Sequence, residues 1–500
     1  MTDMQRSAAF ARRALLGFAC LQGFIVALLY IGPNRMLVLG PIGIERGDIA
    51  CVLAFMTCGF IVIARGNPAL VDRLSSRASL VACTAVLVVA GIASFALNLA
   101  SPWAIVAEGA LLGLPCAVVL ALWGRALGAL PVEHSVPLFF IASALGAAVC
   151  FVVGAGLMPI APASEALLCL LPVGSAAALL RLGVPDGGSR LGGEPEPSAA
   201  EQAPEEARFT KRIFAGTAIY GAATGIMQTF GSDPGMPSTP SLPVTFVLFI
   251  LYCIASLQVV SPDADAASAR PAQGALPGLG SALLEKGREV AQGSAAGPIN
   301  GAYRLSGLLL LGGFLFVGVL EDVGVPGEAV VVAGFLAVMA VLGALFLIMA
   351  RLSLADAARM FARGYAALFA GEFLGIVLAN AIDLAPLSAG AGNVMVALAG
   401  LGALIAYLFL FTEQDFTALS VAAEKADRLE ETCAALARRL GLSPREAEVL
   451  PLAIKGRTNE RIASELCISK STVDTHLRRI YAKCGVHSRQ ELIDLFEAER

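Results

Sequence analysis

Residues 442–493 read LSPREAEVLPLAIKGRTNERIASELCISKSTVDTHLRRIYAKCGVHSRQELI, and they contain four helix starts in 52 residues. Ser443-Pro444-Arg445-Glu446 has the form of a capping box, with a serine cap, proline at the first helical position and glutamate three residues on. The first helix should end at Gly456, where only a glycine takes the left-handed backbone cheaply. Pro451 lies inside it and predicts a kink. Asn459 is the expected cap of a second helix, NERIASEL, buried through Ile462, Ala463 and Leu466. Ser469 should cap a third, KSTVDTHLRRIYAKC, with Val473, Leu477 and Ile480 turned to the core. Ser488 should cap a fourth, RQELIDLFEA.

In residue order and helix spacing this stretch resembles the LuxR-type (GerE-like) transcription regulators. The resemblance implies a four-helix, helix-turn-helix domain over 442–500 that binds double-stranded DNA, a promoter with an inverted repeat. The third helix would enter the major groove. On the family's matching positions, Asp474, Thr475 and Arg478 would read base edges. Lys470, Thr472, His476 and Lys483 would hold phosphates, with Asn459 helping from the second helix. The family often has lysine where Asp474 stands. A carboxylate there can accept from cytosine N4 but weakens attraction to the backbone. Residues 443–500 hold ten basic and nine acidic groups, so non-specific attraction is modest and binding as a homodimer is expected. The fourth helix often contributes to dimer contacts in the family. RNA polymerase is a further expected partner.

The preceding 411 residues have another character. Over the whole chain 57% of residues are hydrophobic, only 15% are charged, and mean hydropathy is +0.76. A soluble chain is about a quarter charged. Twelve apolar stretches are candidates to cross a bilayer, the second, seventh and ninth of them short: 14–31, 48–64, 79–100, 103–123, 136–158, 163–182, 213–230, 242–260, 305–320, 329–350, 364–384 and 392–411. Arg6, Arg12 and Arg13 precede the first, which reads as a retained span rather than a cleaved leader. The Pro/Glu-rich segment 183–211 divides the spans six and six and has a disordered linker's composition. Residues 1–182 and 212–411 then form two membrane halves, the second carrying an Ala/Gly/Pro/Ser-rich insertion at 261–304.

Charge asymmetry orients this body. With a cytoplasmic N-terminus, 19 of the 21 Lys and Arg residues before the C-terminal tail fall inside, leaving only Arg35 and Arg46 outside. An even number of spans returns the chain to the cytoplasm after Phe411, where a DNA reader has to be. The expected location is the cytoplasmic membrane of a bacterium, with both termini inside. Two six-span halves around a cytoplasmic linker look like the major facilitator superfamily. Within GNPALVDRLSSR, Gly66, Asp72, Arg73 and Arg77 are similar to that family's loop signature, although Ser75 replaces its second glycine. The expected fold is therefore all-α, a facilitator-like membrane body plus the helix-turn-helix domain.

Ionisable groups inside a bilayer cost about 2.5–3.5 kcal/mol each on insertion scales, so Glu108 and Glu372 are candidate ligand-binding residues. Their readings are a site for a small ligand, ion or proton, or a hydrogen-bonded place in helix packing. Gly109/Gly113 and Gly371/Gly375 flank them with close-packing spacing. Between body and reader, residues 412–441 turn charged and helix-favouring. Leu419, Ala422, Ala426, Leu429, Cys433, Leu436 and Leu440 form a three-four seam. That seam allows either a short parallel coiled coil or one amphipathic helix packed on its own domain. As a free helix it would hold the reader roughly 45 Å from the membrane. Eleven cysteines without CxxC spacing and three histidines outline no metal site. No cofactor, nucleotide loop or nucleophile-base pair is visible, so no enzyme is expected. Two functions remain: a membrane-bound one-component regulator that senses a ligand or ion, or a secondary transporter with an appended DNA-binding tail.

Overall fold

The computed structural model describes residues 3–32, 34–96, 101–156, 167–183, 203–229, 242–260, 298–322, 326–352, 356–384, 391–410, 413–466 and 468–498. The first membrane half contains α1 (Asp3–Val26), α2 (Gly47–Arg65), α3 (Pro68–Leu74), α4 (Arg77–Ala96), α5 (Pro102–Gly128), α6 (Val132–Gly156) and α7 (Leu171–Leu182). The second contains α8 (Ala203–Thr229), α9 (Leu242–Val260), α10 (Pro298–Asp322), α11 (Gly327–Leu352), α12 (Ala357–Asp383) and α13 (Ala391–Ile405). A connecting helix, α14 (Glu413–Arg439), leads to α15 (Pro444–Ile454), α16 (Asn459–Glu465), α17 (Lys470–Cys484) and α18 (Arg489–Ala498).

Every apolar stretch foreseen as a span contains one of these helices. Eight helices among the described residues are long and apolar enough to cross a membrane, and three shorter apolar ones accompany them. The protein is thus a multi-span membrane protein. Helix α8 meets neither description, since it begins with charged turns and buries Thr217, Thr224, Gln228 and Thr229. Its first residues, 203–211, were expected to be linker, and residues 298–304 of the insertion are likewise the first turns of α10. Residues 184–202 and 261–297 lie outside the described residues.

Glycines set how closely the helices approach. The most extensive helix contact is α8 against α12. A Cβ on Gly221 or Gly225 would collide with the carbonyl oxygen of Leu368 or Glu372, and one on Gly371 or Gly375 with that of Ala218 or Ala222. Gly109 and Gly113 do the same work for α5 against the backbone of α2 around Cys51 and Val52. The two halves meet where α12 crosses α2 and α5, and where α6 packs on α9 and α11.

The all-α expectation misses one element. Between α1 and α2 the chain forms an antiparallel hairpin, β1 (Leu37–Leu39) with β2 (Ile42–Ile44), in register Leu37↔Ile44. Three-residue strands are below what periodicity reveals. Gly40 makes the turn with φ +63°. We call this the hairpin end of the body and the opposite one the stalk end.

Helix α14 joins body to reader through contacts of both. Near its start Asp415 pairs with Arg212 of α8, and Leu419 packs against the membrane core. Near its end Cys433 and Leu436 are buried in the core of the C-terminal domain, with Leu429 and Leu440 against it. Five of the seven seam positions are therefore used within one chain, as in the second of the two readings the seam allowed. The full-length standoff is corrected too, because the first part of α14 lies on α10 and α11.

Gly225→Ala should lower the thermal stability of the detergent-solubilised protein, by about 1–3 kcal/mol from overpacking. Gly312→Ala, in a helix position with open space around it, should leave it unchanged or slightly raise it.

Candidate functional site

The C-terminal domain realises the capping scheme with one exception. Ser443 Oγ accepts from the Glu446 backbone N–H at 3.4 Å, and the Ser443 N–H donates to Glu446 Oε2 at 2.8 Å. Ser469 Oγ accepts from the Thr472 N–H at 3.1 Å, and Ser488 Oγ from the Glu491 N–H at 3.2 Å. Helix α15 continues through Pro451 to Ile454, and Gly456 closes it with φ +75°. The exception is α16. Thr458 Oγ1 accepts from the Arg461 N–H at 3.3 Å, so Thr458 is the cap rather than Asn459.

Asn459 is thereby left for another contact. Its amide donates to Asp474 Oδ1 at 2.6 Å and accepts from Arg489 Nη2 at 3.2 Å. This chain links the starts of α16 and α18 to the middle of α17. Sequence spacing does not show it, because the three residues come from three helices. Asp474 is thus held by an amide, and would have to release it to accept from a base.

Val473, Leu477 and Ile480 are buried as expected. The opposite side of α17 exposes Ser471, Thr475, Arg478, Arg479 and Lys483. Thr475 Oγ1 bonds back to the Ser471 carbonyl at 2.9 Å. The Thr472 hydroxyl lies 2.7 Å from that of Ser469. Lys470 pairs with Glu460 of α16 at an exposed site, a partner that a phosphate can replace. His476 is half-buried, and its Nδ1 is enclosed with no hydrogen-bond partner.

Lys483, expected at a phosphate, has partners inside the domain. Its ammonium donates to Glu446 Oε2 at 2.7 Å and to the Gly441 carbonyl at 2.8 Å. Glu446 is buried, so the pair fastens the end of α17 to the start of α15. The Lys483 bond, followed by the Ser443 backbone N–H, holds the Glu446 carboxyl down to about 2.

In the membrane body, the two glutamates have opposite surroundings. Glu108 is buried on α5 and meets Arg35 Nη1 at 2.6 Å, with the Ser94 hydroxyl on its other oxygen. Arg35 also donates to the Ser94 carbonyl. A charged donor and a hydroxyl together make this carboxylate part of the packing. Glu372 on α12 is fully buried. Its Oε1 accepts from Gln228 Nε2 at 2.7 Å, while Oε2 and Gln228 Oε1 have no partner. Arg46 comes close but donates to the Gln228 backbone carbonyl, at 3.2 Å. Both arginines assigned to outer loops are thus folded back onto the neighbourhoods of the two acids. Glu45 and Asn380 pin the hairpin further, the Glu45 N–H donating to Asn380 Oδ1 at 2.7 Å and Asn380 Nδ2 to the Glu45 carbonyl at 3.2 Å.

Two cavities lie nearby. One, between α1, α4 and α5, has Asp48, Ser94 and Glu108 in an otherwise apolar wall. The other sits where the halves meet, with Gln22, Tyr30, Ser143 and Tyr365 among aromatic and aliphatic side chains. At the stalk end Arg125 is buried, bonding Asp72 at 2.7 Å and Asp356 at 3.1 Å. Asp356 also caps α12 by accepting from the Ala358 N–H at 2.8 Å. The loop signature's aspartate therefore takes part in a tie between the halves. Among the described residues no group of potential metal ligands gathers.

Residues 440–496 match the bacterial regulatory proteins of the luxR family (GerE). This stretch is a LuxR-type helix-turn-helix domain. Solved transporters resemble the chain more distantly. The human organic anion transporter MFSD10 (TETRAN) has a TM-score of 0.47 at 13% identity, over 82% of this chain and 100% of that one. An auto-inhibited POT family peptide transporter has 0.44 at 12%, over 83% and 97%. The nucleoside transporter NupG has 0.42 at 12%, over 81% and 98%.

A carboxyl with a depressed folded value contributes stability above its unfolded value, about 4.3, and loses it as pH falls through about 2. Hydrogen exchange of α15 and α17 amides in the intact chain should therefore accelerate with acidification through that window, and Glu446→Gln should flatten the dependence. Lys483→Met should loosen the same amides at neutral pH by about 1–2 kcal/mol, reduced because the lysine is part-exposed.

Proposed function

We propose that this protein is a membrane-bound one-component transcription regulator. The observation that carries the reading is α14, one helix whose start packs on the membrane core and whose end completes the core of the LuxR-type domain. A change in the body has a short covalent and packed route to the DNA reader. Both chain ends then lie in the cytoplasm of a bacterium, the stalk end of the body faces inward, and the hairpin end faces out.

On DNA, Thr475 and Arg478 are placed to read bases, and Arg478 is the residue suited to guanine. Lys470, Thr472 and His476 serve the phosphates. Asp474 and Asn459 position α17 through their mutual bond, with cytosine as Asp474's partner if that bond opens. We assign Lys483 to the brace on Glu446. Binding as a homodimer to an inverted repeat, with RNA polymerase alongside, fits a domain of nearly balanced charge.

In the body, Glu108 is neutralised by Arg35, and Glu372 is the better candidate for meeting a small ligand or ion. A secondary transporter with a regulatory tail is the competing reading, favoured by the cavity between the halves. Genome-wide DNA occupancy of the intact protein in its own cells tests the first reading. Discrete promoter sites support it. Absence of occupancy, together with proteoliposome uptake that Glu372→Gln abolishes without any transcriptional effect, favours the second.

At such a site Arg478→Ala should cost about 1–3 kcal/mol of affinity and relax selectivity at one base pair. Lys470→Ala should weaken binding to all sequences and lower the salt slope by about one. Both are measurable by titrating labelled promoter fragments at several salt concentrations.

A further inference from the structure

The contact between Gln228 and Glu372 is half of a pair. An amide and a carboxylic acid side by side can exchange two hydrogen bonds, N–H to one oxygen and O–H to the other. Here the first exists, Gln228 Nε2 to Glu372 Oε1 at 2.7 Å. The other two atoms of these side chains, Glu372 Oε2 and Gln228 Oε1, are acceptors, each enclosed and without a hydrogen-bond partner. Two bare acceptors on adjacent buried side chains are costly. One proton on Oε2 turns that bare acceptor into a donor and removes a charge from the interior. A metal ion would want several more oxygens, and neither cavity described above is lined by Glu372 or Gln228.

The surroundings leave few competitors for that proton. From the hairpin side come Arg46, which donates to the Gln228 carbonyl, and Asp48, whose Oδ1 accepts from the Ile49 N–H. Tyr30 approaches from the end of the first span beside Gln228 and Glu372, its hydroxyl also near Met339 Sδ at 3.9 Å. On α5, Glu108 is held by Arg35. Residues 329–350 of α11 and all of α13 contain no charged group.

Gln228 lies near the C-terminal end of α8, and Arg212, paired with Asp415 of α14, lies further back along it. Sixteen helical residues separate them, about 24 Å of rigid rod. Between them, Gly221 and Gly225 seat α8 directly on the backbone of α12, including the carbonyl of Glu372. We propose that Glu372 is a buried proton-binding site, and that α8 carries its protonation state through Arg212 and Asp415 to the DNA reader. The coupling half of this proposal rests on the regulatory function above, whereas the proton site does not. The step is a simple exchange: hydronium gives a proton to Oε2, breaking its own O–H bond and leaving water, and the reverse restores the carboxylate.

The test uses the full chain in lipid nanodiscs. Infrared difference spectra between acidic and alkaline buffer should show a protonated-carboxyl C=O band that Glu372→Gln removes and Glu108→Gln retains. Gln228→Leu should shift its frequency, because the amide bonded to Glu372 is gone. Absence of a pH-dependent band that belongs to Glu372 overturns the proton site. In the same nanodiscs, affinity for a promoter fragment recovered by occupancy mapping should change with pH by at least about fivefold, the lower end of ordinary site-to-site coupling. Glu372→Gln should fix it near the acidic value, and Arg212→Gln should abolish the pH response while keeping the band. A titrating band with pH-indifferent DNA affinity overturns transmission through α8. A titrating band with no DNA binding at all overturns the regulatory function and the coupling, and supports the proton site alone.

Discussion

A carboxylate removed from water and placed among apolar helices costs several kcal/mol unless donors meet it. Much of the membrane body is arranged around that requirement. Glu108 draws Arg35 down from the hairpin and takes the Ser94 hydroxyl as well. Arg125, itself buried, draws Asp72 and Asp356 together from two halves of the chain. Glu372 draws only a neutral amide, Gln228. The first two arrangements pair opposite charges and hold the body together at opposite ends. The third is incomplete, and an incomplete buried pair is where a change of state costs least.

The same economy of close contact governs α8 and α12. Their glycines let backbone meet backbone, which brings Gln228 within reach of Glu372 and makes the two helices move as one surface. Small residues perform this role generally in membrane helix packing, where lipid offers no hydrophobic drive for association. Here they also place a polar pair at the hairpin end and an ion pair at the stalk end of one continuous helix.

In the C-terminal domain, local signals were highly legible. Ser443, Ser469 and Ser488 cap the helices their spacing announced, and the apolar stripe of α17 is buried as its periodicity required. What could not be read was which polar side chains would be used inside the domain. Lys483 and Asp474 looked free in a helical projection, yet each has a partner contributed by a different helix. The cap of α16 moved by one residue to Thr458, because Asn459 has a longer-range bond to make. The stalk shows the same limit. Its seam of Leu429, Cys433, Leu436 and Leu440 is real, but periodicity states only that a face is apolar and never names what covers it.

Composition and pattern by themselves determined that this chain is a helical membrane body followed by a helix-turn-helix reader. Both follow from local physics: long apolar stretches have to satisfy their backbone as helices, and caps and periodic stripes fix the small domain. They also marked Glu108 and Glu372, since charge in an apolar run is conspicuous. Only the tertiary structure decided that these two differ. The hairpin between β1 and β2 delivers an arginine to one of them, and α8 delivers a bare amide to the other. Those partners are 73 and 144 residues away in sequence, a separation at which only the packing of the helices determines who meets whom.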